Sequence, residues 1–220
     1  VDVPWKTLEK DGVIATAHCL EIRVPLPTDE RMDYAVADQR ARFRIASENS
    51  LKLKVVDELL AGHPKDSILI IGQYLEQLRV LGRRLKAPVL TGQTPERERE
   101  SLYQQFKEGT LRVLIVSKVA NFAIDLPDAS VAVQVSGTFG SRQEEAQRLG
   151  RILRPKNDRN ISYFYSIISR DTSEQEFARN RQLFLTEQGY RYLIESRHLD
   201  ESGAMSEPLV WRQLLEETGG

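Results

Sequence analysis

A single cysteine, Cys19, stands among 220 residues, so the chain cannot form an internal disulfide and suits a reducing compartment. Its three histidines, His18, His63 and His198, are scattered and, with one cysteine, do not make a zinc-ligand set. No long uninterrupted apolar run and no signal-peptide pattern occur. That argues against a membrane-spanning helix and makes the cytoplasm, or the nucleus for a eukaryotic source, the expected compartment. Charge of one sign is lacking too: 31 Lys+Arg oppose 32 Asp+Glu, a net charge of −1, so any surface for nucleic acid must be local. Two further absences say more. There is no G-x-x-x-x-G-K-[ST] phosphate loop, and no strand ends in a D-E-x-H-like carboxylate pair; Asp57-Glu58 falls within a helical pattern and reads as a solvated helix face. The chain opens Val-Asp-Val-Pro-Trp, without an initiator Met.

What is present is ordinary for a soluble domain. With 40% hydrophobic and 29% charged residues, the chain can build one sizeable core, with or without extensions. Residues 1–12 form a polar lead-in, 13–27 are β-rich and suit a linker or an added edge strand, and 28–48 have the charged composition of a helix. The basic cluster Arg40, Arg42 and Arg44 reads as solvated, with nucleic-acid contact as the alternative. From Ser50, a potential helix cap, apolar residues at helical spacing alternate with short continuous apolar runs: strands at 68–72, 88–90, 111–117, 131–136 and 162–169, helices between them and one across 172–188. Thr94-Pro95 opens one helix with Pro95 at its first position, and Gly109 ends it. Such alternation predicts an α/β fold, a parallel sheet flanked by helices on both faces. The expected organisation is a lead-in over 1–48, the α/β domain over 49–199 and a polar tail over 200–220, in which Leu209, Val210, Leu214 and Leu215 allow a short amphipathic helix acting as tail, lid or partner contact.

The most informative stretch is 140–155, G-S-R-Q-E-E-A-Q-R-L-G-R-I-L-R-P. Ser141 and Glu144 make a capping box, and Pro155 ends the helix that it starts. Gln147, Gly150, Arg151 and Arg154 fall at i, i+3, i+4 and i+7 on one face, while Ala146, Leu149 and Leu153 supply a stripe to bury. Arginine brings a fixed charge and a planar fork of donors, the chemistry needed around a transferring phosphoryl group.

Q-R-L-G-R-I-L-R resembles motif VI of superfamily-2 helicases, Q-x-x-G-R-x-x-R. With S-K-V-A-N-F-A-I-D-L-P at 117–127, the chain from about residue 5 to 199 is similar to the second motor domain of XPB-type DNA repair helicases. The resemblance implies a RecA-like fold and ATP-driven action on DNA, in which a first RecA-like domain binds ATP with Mg2+ and supplies the water-activating carboxylate. It implies that 13–27 lead out of that first domain, that Arg154 is an arginine finger and that Arg151 reaches the γ-phosphate. Gln147 orients an arginine or the attacking water, and Gly150 and Asp125 lie beside the nucleotide. Gln73 with Tyr74 resembles motif IV, Thr91-Gly92 the phosphate-touching T-G turn, and Ser117 with Lys118 motif V. All three stretches follow predicted strands, where an open parallel sheet collects its ligands, and they supply groups that hold a sugar-phosphate backbone without reading bases. Ala120-Asn121 departs from the Gly-Asp common in the family. Implied partners are the single-stranded or duplex DNA backbone, the first motor domain and a repair nuclease or other repair factor. The fragment alone is expected to be inactive as an ATPase. Alternatives are half of another superfamily-2 motor, such as a restriction translocase or RNA helicase, and a non-catalytic partner-binding module.

Overall fold

The computed structural model describes residues 16–117, 129–137 and 161–218. Its centre is the set of apolar runs. Strands β2 (Ile68–Gly72), β4 (Val113–Ser117) and β5 (Val131–Gln134) are buried at every position, as strands covered on both faces must be. Successive side chains point to opposite faces. Ile68 and Ile70 therefore join one core cluster with Val131, Val133 and Tyr165, while Leu69 and Ile71 join the other with Leu114, Ala132 and Phe164.

Together with β1 (Thr16–Val24), β3 (Val89–Leu90), β6 (Ile161–Ser169) and β7 (Tyr192–Ser196), these make a seven-stranded sheet of order β3-β4-β2-β5-β6-β1-β7 among the described residues. Every pairing is parallel. The helices described are α1 (Thr28–Val36), α2 (Gln39–Glu48), α3 (Leu51–Gly62), α4 (Leu75–Leu85), α5 (Glu96–Glu108), α6 (Glu174–Glu187) and α7 (Val210–Thr218). None is long and apolar enough to cross a membrane.

The elements expected between residues 50 and 188 occur wherever the structure describes them; the expected helix over 141–154 lies outside the described residues. The ends differ from expectation. Strand β1 is not an edge strand: it pairs from Thr16↔Ile161 through Val24↔Ser169 on one side and with β7 on the other. Its charged alternation misleads because Glu21 is fully buried and satisfied there, accepting from Arg23 Nε at 2.6 Å and from the Tyr192 hydroxyl at 2.6 Å. The edge position falls to β7, which the sequence did not announce. The charged helical stretch divides at Ala37 and Asp38, where the Asp38 carboxylate accepts from Ala41 N at 2.8 Å and starts α2.

Helix α3 is capped one residue earlier than expected. Asn49 Oδ1 accepts from Leu51 N at 2.9 Å, while Ser50 makes no side-chain cap. Pro95 is the N-cap of α5 and not its first helical residue, with φ −53° and ψ 144°. Gly109 closes that helix at φ +79°, a left-handed conformation that only glycine enters freely. Asp57 and Glu58 are not a bare solvated face: Asp57 pairs with Arg84 and Glu58 with the buried Arg197. Helix α7 forms, with Trp211 and Leu214 in the main core cluster and Val210 and Leu215 packed against it as expected, whereas Leu209 is 69% exposed. Strand β1 and helix α7 thus pack on the same core as the central strands.

Candidate nucleic-acid interface at the strand ends

Parallel pairing brings the carboxyl ends of the strands to one edge of the sheet. The pairs Leu90↔Val116 and Gly72↔Ser117 put Thr91, Ser117 and Gln73 at the tips of three adjacent strands, β3, β4 and β2. Neighbouring strands lie about 4.8 Å apart, so the three tips span roughly 10 Å.

The Thr91 turn is held by its own hydroxyls. Thr91 N donates to Thr94 Oγ1 at 2.9 Å, Thr94 N donates to the Thr91 carbonyl at 3.2 Å, and Gln93 N donates to Thr91 Oγ1 at 3.1 Å. Because that oxygen already accepts, its O–H is turned to donate elsewhere, and Gly92 beside it is exposed. Gln73 has an exposed side chain, and its N–H donates to Ser136 Oγ at 2.9 Å. Tyr74 is half-buried; burial first, and then the Glu48 carboxylate, push its hydroxyl upward, which keeps it a neutral donor. Ser117 sits one layer deeper, 1% exposed at the last position of β4. Lys118, Asp125, Gln147, Gly150, Arg151 and Arg154 lie outside the described residues. Among the described residues no group of three or more His, Cys, Asp or Glu could hold a metal ion.

Sequence reasoning missed the polar layer beneath this edge. Lys52 and Glu174 are 1% and 3% exposed, with Nζ 2.8 Å from Oε2. Lys52 Nζ also donates to Glu174 Oε1 at 3.0 Å and to the Val135 carbonyl at 2.9 Å, which uses all three of its protons. Glu174 further accepts from Ser169 N at 2.8 Å and from Ser47 Oγ at 3.2 Å. Burial pulls the Lys52 ammonium below its ordinary range, and the Glu174 carboxylate opposes that pull. One signal was available: Lys52 stands at i with Val55, Val56 and Leu59 at i+3, i+4 and i+7, on the buried face of α3. Nearby, the buried Arg181 donates from Nη1 to Ser166 Oγ at 2.9 Å. It lines, with Gln134, Gly137 and Glu174, a cavity of about 10 Å³, roughly the space of one water.

Comparison with known proteins agrees with this architecture. Residues 8–217 match the family model of the ERCC3/RAD25/XPB C-terminal helicase. The chain is 56% identical over 193 residues to the DNA 3′-5′ helicase XPB of Mycobacterium tuberculosis, a match covering 88% of this chain and 35% of that protein. It is 34% identical to the general transcription and DNA repair factor IIH helicase/translocase subunit XPB/SSL2 of Saccharomyces cerevisiae, covering 97% of this chain and 26% of that one. The chain therefore spans about a third or less of the length of these curated relatives. Among solved structures, the C-terminal domain of the DEAD-box protein Dbp5 superposes with a TM-score of 0.62 at 17% identity, covering 93% of this chain and 98% of that domain. A likeness at that identity speaks for the fold alone, that of a RecA-like helicase C-terminal domain. With a family model matching residues 8–217 of the chain and relatives above half identity, the chain belongs to the ERCC3/RAD25/XPB C-terminal helicase family.

Proposed function

We propose that this domain is the second motor domain of an ATP-dependent 3′–5′ DNA helicase or translocase that acts in DNA repair. The observation that carries the reading is the alignment of Thr91, Ser117 and Gln73 at adjacent carboxyl strand ends, in a chain whose family is that of XPB helicases. Thr91 and the exposed Gly92 offer a hydroxyl and a backbone N–H to a phosphate, Gln73 an amide, and Lys118 would add a charge directly after β4. Donors of this kind grip the backbone of a single strand or duplex with little regard to sequence, and binding should weaken steeply with salt.

ATP with Mg2+, bound mainly by the first RecA-like domain of the same protein, supplies the driving phosphoryl transfer. In this reading Arg154 stabilises the charge on the transferring group, Arg151 contacts the γ-phosphate, Gln147 orients an arginine or the attacking water, and Asp125 and Gly150 face the nucleotide. A repair nuclease or other repair factor would recruit the motor. The fragment by itself should not turn over ATP.

The test is ATP hydrolysis by this chain joined to its first motor domain, with and without single-stranded DNA, comparing wild type with Arg154→Ala at equal folded concentration. An arginine finger is worth roughly 10³–10⁵ in rate, so DNA-stimulated turnover should fall by at least several hundred-fold. Equal rates would make the 141–154 segment structural and refute the reading.

A further inference from the structure

A continuous run of hydrogen bonds joins the DNA-facing edge to the chain leaving β5. Gln73 N donates to Ser136 Oγ at 2.9 Å, Ser136 Oγ donates to Gln77 Oε1 at 2.7 Å, and Gln77 Nε2 donates to the Ser47 carbonyl at 2.6 Å. Ser47 Oγ donates to Glu174, Glu174 accepts from Lys52, and Lys52 returns to the strand end through the Val135 carbonyl. A branch runs from Ser169, whose N–H donates to Glu174, to Asn49, which donates to Ser169 Oγ at 2.9 Å and to the Pro25 carbonyl at 3.0 Å. The side chains of Ser47, Asn49, Lys52, Gln77, Ser136, Ser169 and Glu174 are all nine-tenths or more buried.

Such a layer is an expensive way to gain stability. A buried ion pair is commonly no more stabilising than apolar residues of the same volume, whereas removing one member leaves a stranded charge. What a saturated network does provide is a single geometry, because each donor has one acceptor and every alternative leaves a polar group unpaired. Here the geometry fixed is specific. The Val135 carbonyl and Ser136 hydroxyl lie directly after β5, on the chain that continues toward Gln147, Arg151 and Arg154, and Gln73 tips β2 on the DNA-facing edge.

We propose that Lys52 and Glu174 are a positioning pair that locks the β2 tip to the chain leaving β5, so that occupancy of the strand ends by a nucleic-acid backbone is transmitted to ATP turnover. The inference rests on the motor reading above and adds to it a route, along one edge of the sheet, from the β2 tip to the chain leaving β5. Neither residue touches nucleotide or DNA; they act through Val135, Ser136 and Gln73.

The experiment uses the protein containing both motor domains and reads the ratio of turnover with saturating single-stranded DNA to turnover without it. That ratio does not depend on how much enzyme is folded, so a merely structural pair leaves it unchanged. Lys52→Met with Glu174→Gln removes both charges together and keeps side-chain volume. It should lower the ratio by roughly 2- to 30-fold, the range over which residues along a coupling route act. Ser136→Ala removes the link between Gln73 and Gln77 without altering charge and should lower the ratio in the same direction. A wild-type ratio in Ser136→Ala, or in the double variant, overturns the proposal while the motor reading stands. A wild-type protein whose turnover ignores DNA overturns both.

Discussion

Replacing Trp211 with Ala tests whether the carboxyl-terminal helix is part of the domain core. Trp211 is 3% exposed and packs against the last turn of α3. Among the described residues its indole nitrogen has no hydrogen-bond partner, so truncation strands no polar group there. Trp→Ala at such a site costs about 3–5 kcal/mol. At about 2–4 °C per kcal/mol for a chain of this size, the melting temperature should fall by about 6–20 °C. The structure also dictates how this change couples to Gly62. A Cβ on Gly62 would lie 2.4 Å from Trp211 Cζ3, 2.8 Å from Cη2 and 3.2 Å from Leu215 Cδ1. Gly62→Ala should therefore lose about 1–3 kcal/mol to overpacking, offset by up to about 1 kcal/mol of helix propensity. With Trp211 already removed, the clash is largely gone and the same Gly62→Ala should become stabilising by about 0.5–1 kcal/mol. Urea denaturation of the four proteins of this cycle, followed by far-ultraviolet circular dichroism, measures both terms. The reasoning fails if the two substitutions add to within about 0.5 kcal/mol, or if Trp211→Ala costs under about 1 kcal/mol, below the range for a buried aromatic.

Arg197 is 1% exposed and holds Glu58, with Nη1 2.8 Å from Oε2, and also donates to the Ser206 carbonyl. Glu58 is 29% exposed, so Arg197→Met should cost about 1.5–3 kcal/mol in denaturant melts, the range for hydrogen bonds to a charged group; a loss below about 1 kcal/mol would place the group in water. Glu195 accepts from Val210 N at 3.0 Å and Trp211 N at 3.2 Å, the start of α7, and burial raises its carboxyl above the ordinary range. A folded-state pKa that is raised gives a stability contribution fully present below the unfolded carboxylate pKa and lost as pH rises through the folded one. Relative to Glu195→Gln, wild type should therefore gain melting temperature as pH is lowered from neutral through the carboxylate range; a difference that is flat or of opposite slope refutes the assignment.

How much was legible varied with the kind of signal. Strands β2, β4 and β5 could be read as continuous apolar runs because both faces of a central parallel strand are covered, which leaves no polar position to confuse the pattern. Gly109 marked a helix end because its left-handed backbone is a local property. Strand β1 was misplaced at an edge because Glu21 and Arg23 look solvent-facing, and only Tyr192, distant in sequence, shows how Glu21 can be buried. Strand β7 escaped because its burial is partial, as befits an edge. Gln73, Thr91 and Ser117 were proposed from their position after apolar strands, and the fold sets them at adjacent strand tips; Lys52 and Glu174 were missed, since the one local signal, Lys52 on the apolar face of α3, does not reveal its partner.

The sequence by itself determined what depends on short-range chemistry: helix and strand periods, turn residues, the parallel α/β class and the motif-bearing stretches that mark the family. Tertiary structure alone decided which strand lies at the edge, what α7 covers and which charges meet inside. Those outcomes depend on partners far apart in the chain, as Lys52 and Glu174 are. Local composition cannot tell a charge solvated by water from one solvated by a carboxylate and a carbonyl delivered by other elements of the fold.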